Sequence, residues 1–467
     1  MSSLTKDKMF HGALWAGVGR LFSMCSSFLA TLVIARAVVP ADYGIYFVAL
    51  TTSMIMAGVG TLGLDQVVVR FSATPMSLGD KAGVRHVVGL CLGIVTISAL
   101  VVSAVFLLFG RWAFTSVLGM PGLAVYSGMM AAWILSSTLQ RQLTETFRGL
   151  NDIRMATLFG GLRTGGILNA AIICVVMVSL WASGHLTLFT SLLTMLAASV
   201  TVVAIAATTL WMRLRGTDPG SRPRLAPPPA LGFKTAIHEG WPLGLAGFIV
   251  ILNNLGSAWL ASPLDTASHV ALLGVAQRVM QLLIAPMSVV NAILPPIIAE
   301  LHGAAKLQRL EYVIKSIGGL LLVPSLLLLG LLVVAGRPLL HLFFGAYYEA
   351  AYPVLILLCA GQTINIATGA WQIVLPMTGS KHQLLTSSVI AVCTQFGLGL
   401  ALGYRMGVLG VAIGYCASII ITNIAGMLLV HRKLGIWTYA SLNWHTFREA
   451  FEMIMARVTR KLAWQRQ

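Results

Sequence analysis

RAVVPADYGIYFVALTTSMIMAGVGTLGLDQVVVR, residues 36–70, carries the end of one long apolar segment, a short turn with Pro40, Asp42 and Gly44, and a second apolar segment that runs to Arg70. Its pattern returns 230 residues later, where Gly274 in LLGVAQRVMQ takes the place of Gly44. The same offset maps Ala16-Gly17 onto Ala246-Gly247, Ser27 onto Ser257 and Gly149 onto Gly379. A gapless offset with helices and loops in step marks two copies of one unit.

Composition agrees with a membrane protein. The 467 residues are 57% hydrophobic and 10% charged, against about 25% charged in soluble domains. Long apolar stretches alternate with short polar ones, the pattern of a polytopic helical protein. The first apolar stretch reads as a true span, without a convincing signal-peptide cleavage site. The six cysteines lie in apolar segments without a CxxC and read as small core hydrophobes.

The periodicity predicts an all-α polytopic membrane protein with twelve helices, at 10–36, 43–72, 86–109, 123–148, 154–182, 187–211, 238–260, 270–299, 316–336, 350–377, 384–404 and 408–430. They form two six-helix bundles, 1–211 and 237–432, joined by the Pro- and Arg-rich linker 212–236. An even helix number per unit makes the repeats parallel. The tail, 433–467, ends in an amphipathic helix over 443–465. There Phe447, Phe451, Ile454, Met455, Val458 and Leu462 recur at helical spacing, with Arg448, Arg457, Arg460 and Lys461 elsewhere on the helix.

Lys and Arg set the orientation. With both termini cytoplasmic, Lys6, Lys8, Lys81, Arg85, Arg148, Arg154, Lys306, Arg309, Lys315, Lys381, the linker and the tail lie inside. Arg36, Arg111, Arg337 and Arg405 alone fall outside. The net charge of +17 is thereby explained by topology and anionic lipid rather than nucleic acid.

Charges inside spans are costly and mark function. The predicted helices contain Arg20, Asp65, Arg70, Arg141, Glu145, Arg163 and Arg278, a cationic surplus. Arg20, Arg141, Arg163 and Arg278 are candidates to line a water-filled cavity between the halves that accepts an anionic group, because arginine's planar fork suits phosphate. Arg20 and Asp65 reach compatible depths, and Arg141 and Glu145 share a helix face. Asp65 and Glu145 read first as ion-pair partners, with H+ or Na+ coupling the alternative. Arg36 and Arg70 lie near helix ends and snorkel to headgroups. Catalytic, metal-binding and nucleotide-binding motifs are absent from the sequence, so neither a resident cofactor nor an enzymatic activity is expected.

LVIARAVVPADYGIYFVAL, TLGLDQVVVRFSA, TETFRGLNDIRM, PLLHLFFGAYYEAAYPVLILLCAG and LPMTGSKHQLL resemble, in order, the signature segments of the polysaccharide-transport branch of the multidrug/oligosaccharidyl-lipid/polysaccharide (MOP) flippase superfamily. Arg36, Gly44, Arg70, Gly149, Gly274 and Gly379 fall in these segments or their internal echo. The resemblance implies a bacterial inner-membrane flippase for polyprenyl-diphosphate-linked oligosaccharide, serving O-antigen, capsule or exopolysaccharide assembly by alternating access. Polysaccharide polymerase or export machinery is the candidate protein partner. The competing readings are an ion-coupled drug or metabolite antiporter of the same fold and a membrane polymerase or ligase. Short outer loops argue against the last.

Overall fold

The computed structural model describes residues 3–160, 166–215, 231–378 and 381–441, and every regular element among them is helical. The first half comprises α1 (Ser3–Ala37), α2 (Pro40–Gly60), α3 (Leu64–Leu78), α4 (Lys81–Trp112), α5 (Pro121–Ala124), α6 (Ser127–Gly149), α7 (Ile153–Phe159), α8 (Ile167–Ala182) and α9 (Leu188–Arg215). The second comprises α10 (Phe233–Ala261), α11 (Ala267–Gly303), α12 (Leu307–Phe344), α13 (Tyr352–Ala367), α14 (Trp371–Met377), α15 (Lys381–Met406) and α16 (Val408–Leu434). Pro40 opens α2, where its missing N–H is not needed. The side chains of Asp80 and Asp152 accept hydrogen bonds from Gly83 N and Met155 N and cap α4 and α7. The amphipathic helix expected over 443–465 lies outside the described residues.

Among the described residues, ten helices are long and apolar enough to cross a membrane. The two expected spans that miss this measure are α6, which is polar, and α8, which is short. The polarity of α6 is answered by protein: it packs against α2, α3, α4, α7 and α9. Other helices overrun their predicted lengths. Expected over 316–336, α12 has 38 residues, or ~57 Å at 1.5 Å per residue. Its polar first turns, LQRLEYVIKS, continue the helix beyond the hydrocarbon, where hydropathy gives no signal.

The repeat appears element for element. α1 answers to α10, α2–α3 to α11, α4 to α12, α6 to α13–α14, α7–α8 to α15 and α9 to α16. The breaks do not repeat. The single helices expected over 43–72, 154–182 and 350–377 are each split. Leu62 and Gly63 turn at φ 48 and 74, and Gly369 at φ 80. At the 230-residue offset, Gly63 corresponds to Ile293 and Gly369 to Leu139. Neither position is a glycine, and α11 and α6 run through. Likewise α7 ends at Phe159 with Gly160 beyond the helix, whereas the matching Ile390 lies inside α15.

By compactness the chain forms two units, Met1–Gly274 and Val275–Gln467. In the first, α10 packs on α2 and α3. Its Gly240 and Gly244, one turn apart, let the α2–α3 break approach closely. A Cβ at Gly244 would lie 2.8 Å from the Leu62 carbonyl carbon. Gly44 and Gly274 serve one crossing. A Cβ on Gly44 would strike the Ala267 carbonyl, and one on Gly274 would come 2.8 Å from the Phe47 ring. At the end of α6, a Cβ on Gly149 would sit 2.6 Å from Ser72 Oγ. Gly379 lies outside the described residues. The expectation that all six cysteines are core residues holds for Cys91, Cys359 and Cys416, which are buried, whereas Cys25 and Cys393 are exposed.

Candidate functional site

Asp65, Arg141, Glu145 and Arg148 of the first unit pair on and beside α6. Asp65 stands in the first turn of α3, just past the break, and is 4% exposed. Its Oδ1 accepts a bond from Gln66 N at 3.1 Å. Its Oδ2 takes two bonds from Arg141, from Nε at 2.9 Å and Nη2 at 2.5 Å. The α3 N-terminus favours a carboxylate, and arginine's planar fork approaches it side-on. Arg141 Nη1 lies 3.3 Å from the position a Cβ on Gly58 would take, a spot also bordered by Ile251. The pair therefore locks α6 to the α2–α3 break beside α10. Side-chain exposures of 18% for Arg141 and 6% for Asp65 make it a desolvated pair.

One turn on, Arg148 Nη1 bonds both oxygens of Glu145 at 2.8 Å. Glu145 feels Arg148, Asp65 and Arg141 together, and Arg20 on α1 feels Arg148. Asp65–Arg141 and Glu145–Arg148 thus stand a turn apart along α6, and with Arg20 on α1, which lies within the field of Arg148, these residues carry three positive and two negative charges. Each carboxylate holds one arginine. Arg20 is exposed, and among the described residues no carboxylate is paired with it.

Two expected contacts are replaced. Arg141, not Arg20, takes Asp65, because the break swings the start of α3 against α6. Glu145 pairs with Arg148, three residues on, rather than with Arg141, with which it shares a helix face. Arg148 belongs to the last turn of α6, at the end of the helix expected over 123–148. Arg70 bonds Glu239 at 2.8 Å on an exposed surface, and Arg36 is exposed at the end of α1. Arg278 is half-buried and donates from Nη1 to Gln281 Oε1 at 3.1 Å in the second unit. Arg163 lies outside the described residues. Among the described residues no group of His, Cys, Asp or Glu is placed to hold a metal.

Gln140, which the sequence reading passed over, closes a broken helix. It donates from Nε2 to the carbonyls of Phe159 and Gly160, both at 3.2 Å, and its Oε1 accepts from Ser199 Oγ at 3.1 Å. Thr144 Oγ1 donates to the same Phe159 carbonyl at 3.3 Å. Interrupted helices inside a membrane need such partners. A glutamine inside a predicted membrane span was the available signal. In the second unit Asn423 Oδ1 accepts from Trp371 Nε1 at 2.7 Å and Thr368 Oγ1 at 3.2 Å. Gln362 donates to the Tyr415 hydroxyl at 3.2 Å and accepts from Asn365 Nδ2 at 3.0 Å. Asn423 and Gln362 thereby bridge helices of the second unit.

Residues 9–302 match the family model described as polysaccharide biosynthesis protein. No curated protein matches the chain. Among solved structures, a lipid II flippase, MurJ, in an inward closed conformation is similar at a TM-score of 0.71 and 12% identity, covering 94% of this chain and 90% of that one. An inward-facing multidrug resistance MATE family transporter of the MOP superfamily gives 0.64 and 16%, covering 90% and 98%. A MOP superfamily transporter from Pyrococcus furiosus, described as having a binding pocket of reverse polarity, gives 0.62 and 15%, covering 92% and 96%. These likenesses establish a MOP-type membrane fold.

Proposed function

The chain belongs to the polysaccharide biosynthesis protein family, and from that premise we propose that it is a flippase for polyprenyl-diphosphate-linked oligosaccharide. It would carry repeat units from the cytoplasmic to the outer leaflet of a bacterial inner membrane, with both termini cytoplasmic, for O-antigen, capsule or exopolysaccharide assembly. Membrane lipids surround it, and the polymerase or export machinery is its candidate protein partner. The fold it shares with a lipid II flippase supports transport by alternating access between two helical bundles.

The observation that carries this reading is the cationic surplus of the cluster on α1, α3 and α6. A diphosphate is multiply anionic and takes paired arginines. Arg141 spends two of its donor positions on Asp65, so in this arrangement it acts as a strut. Arg20, which has no carboxylate among the described residues, and the half-exposed Arg148 are the arginines open to phosphate, with Glu145 the exchangeable counter-ion. Arg163 and Arg278 remain substrate candidates. Coupling to H+ or Na+ would fall to Glu145 before Asp65, because Asp65 is more deeply paired. An antiporter of cationic drugs calls for an unpaired buried carboxylate, and both carboxylates of the cluster carry an arginine.

The test is a deletion strain. Complete lipid-linked units accumulating on the cytoplasmic face, with surface polymer lost and restored by the wild-type gene, would support the flippase and identify its glycan by mass. Unchanged intermediates with altered sensitivity to cationic drugs would favour the antiporter.

A further inference from the structure

Helix α16 ends at Leu434, and Gly435, at φ 69, reverses the chain. The segment that follows turns back into the second unit. Ile436 is 3% exposed and Thr438 is fully buried. Ala440 N donates to the Ala367 carbonyl at 2.7 Å, and Ser441 N to the Lys315 carbonyl at 3.0 Å. Thr438 Oγ1 donates to the Thr368 carbonyl at 2.8 Å. Ala367 and Thr368 end α13, where the break leaves carbonyls without helical donors.

Glycines make room for this segment. Gly369, at φ 80, faces the Thr438 carbonyl so closely that a Cβ would overlap it. On α12, a Cβ at Gly318 would lie 3.1 Å from Ala440 Cα, and Gly319 lies against the Ser441 carbonyl. Trp437 stacks on His431 at 3.9 Å between ring centroids, and the Lys315 ammonium sits 4.3 Å from the centre of the Tyr439 ring. Together these contacts reach α12, the α13–α14 break and α16.

We propose that Gly435–Ser441 is a strap that ties α12 to the α13–α14 break, and that it stays tied while the protein works, so that these helix ends move as one rigid piece. Release would leave the Ala367 and Thr368 carbonyls without these donors and open a hole where Thr438 sits. Buried backbone groups are rarely left so. The strap replaces a local helical bond that α13 gave up at its break.

The test uses the full chain in growing cells. In a background with the six natural cysteines replaced, Thr438→Cys and Tyr439→Cys are treated with membrane-permeant N-ethylmaleimide, and unreacted thiol is counted by a later mass tag. Thr438→Cys is expected to react at least tenfold more slowly than its exposed neighbour. Comparable rates would overturn the proposal. Because a cysteine could loosen the strap, hydrogen exchange of the wild-type protein in nanodiscs supplies a second measurement. Backbone amides of 440 and 441 protected at least tenfold over an unstructured peptide support it, and unprotected exchange sinks it. Both readouts are independent of any glycan, so their failure leaves the flippase reading standing.

Discussion

Arg141 and Asp65 show why a buried charge pair is judged by its geometry. Taking both ions out of water costs several kcal/mol each, and removing one partner of such a pair destabilises by roughly 3–5 kcal/mol. We therefore expect Asp65→Asn and Arg141→Gln each to lower membrane abundance and melting temperature. The double variant, which leaves no lone charge, is expected to recover most of that loss and most surface polysaccharide. A double variant that folds well but carries no polysaccharide would return Arg141 to the substrate. Arg20→Ala is expected to behave differently: protein level unchanged and polysaccharide reduced at least tenfold. Four of the five residues of this cluster were legible in the sequence, since Arg20, Asp65, Arg141 and Glu145 stand out as charges inside apolar segments, whereas Arg148 at the helix end did not. Their partners were not, because pairing depends on the direction in which α3 leaves the break.

At the scale of elements, the breaks distinguish the two repeats. Gly58, Gly60 and Gly63 all lie in the predicted second helix, and nothing local singles out one of them. The close approach of Gly240 and Gly244 on α10 goes with the left-handed turn at Leu62 and Gly63. The crossing of α2 with the start of α11 is the sharper constraint. Gly44→Leu is expected to force the backbone at Ala267 away and to cut folded protein in the membrane at least fivefold. Gly274→Ala meets only the Phe47 ring, a side chain that can rotate, and is expected to cost far less. Quantitative immunoblotting of membranes with a thermal-shift assay separates the two outcomes.

For the whole molecule, the C-terminal region divides at Ser441. A chain ending at Arg432 loses the strap as well as the tail, whereas one ending at Ser441 keeps the strap. We expect the shorter chain to fall at least fivefold in membrane level and the longer one to stay near wild type. Equal levels would show that the strap adds little to stability. Orientation is open to the same kind of direct measurement. If the Lys- and Arg-rich loops face the cytoplasm, as proposed, green fluorescent protein fused after Gln467 is expected to fluoresce and alkaline phosphatase fused there to be inactive.

The sequence by itself determined the all-helical membrane fold class and most of the apolar spans, because hydropathy is a local property that needs no knowledge of packing. It also placed the membrane-embedded charges that make an anionic substrate the leading idea. Only the tertiary structure decided which charges pair, where helices break and how the chain after α16 is used. Those outcomes depend on which backbone carbonyls and which ions a distant segment can satisfy. Asp65 finding Arg141 and the Ala367 carbonyl finding Ala440 are both long-range contacts of that kind.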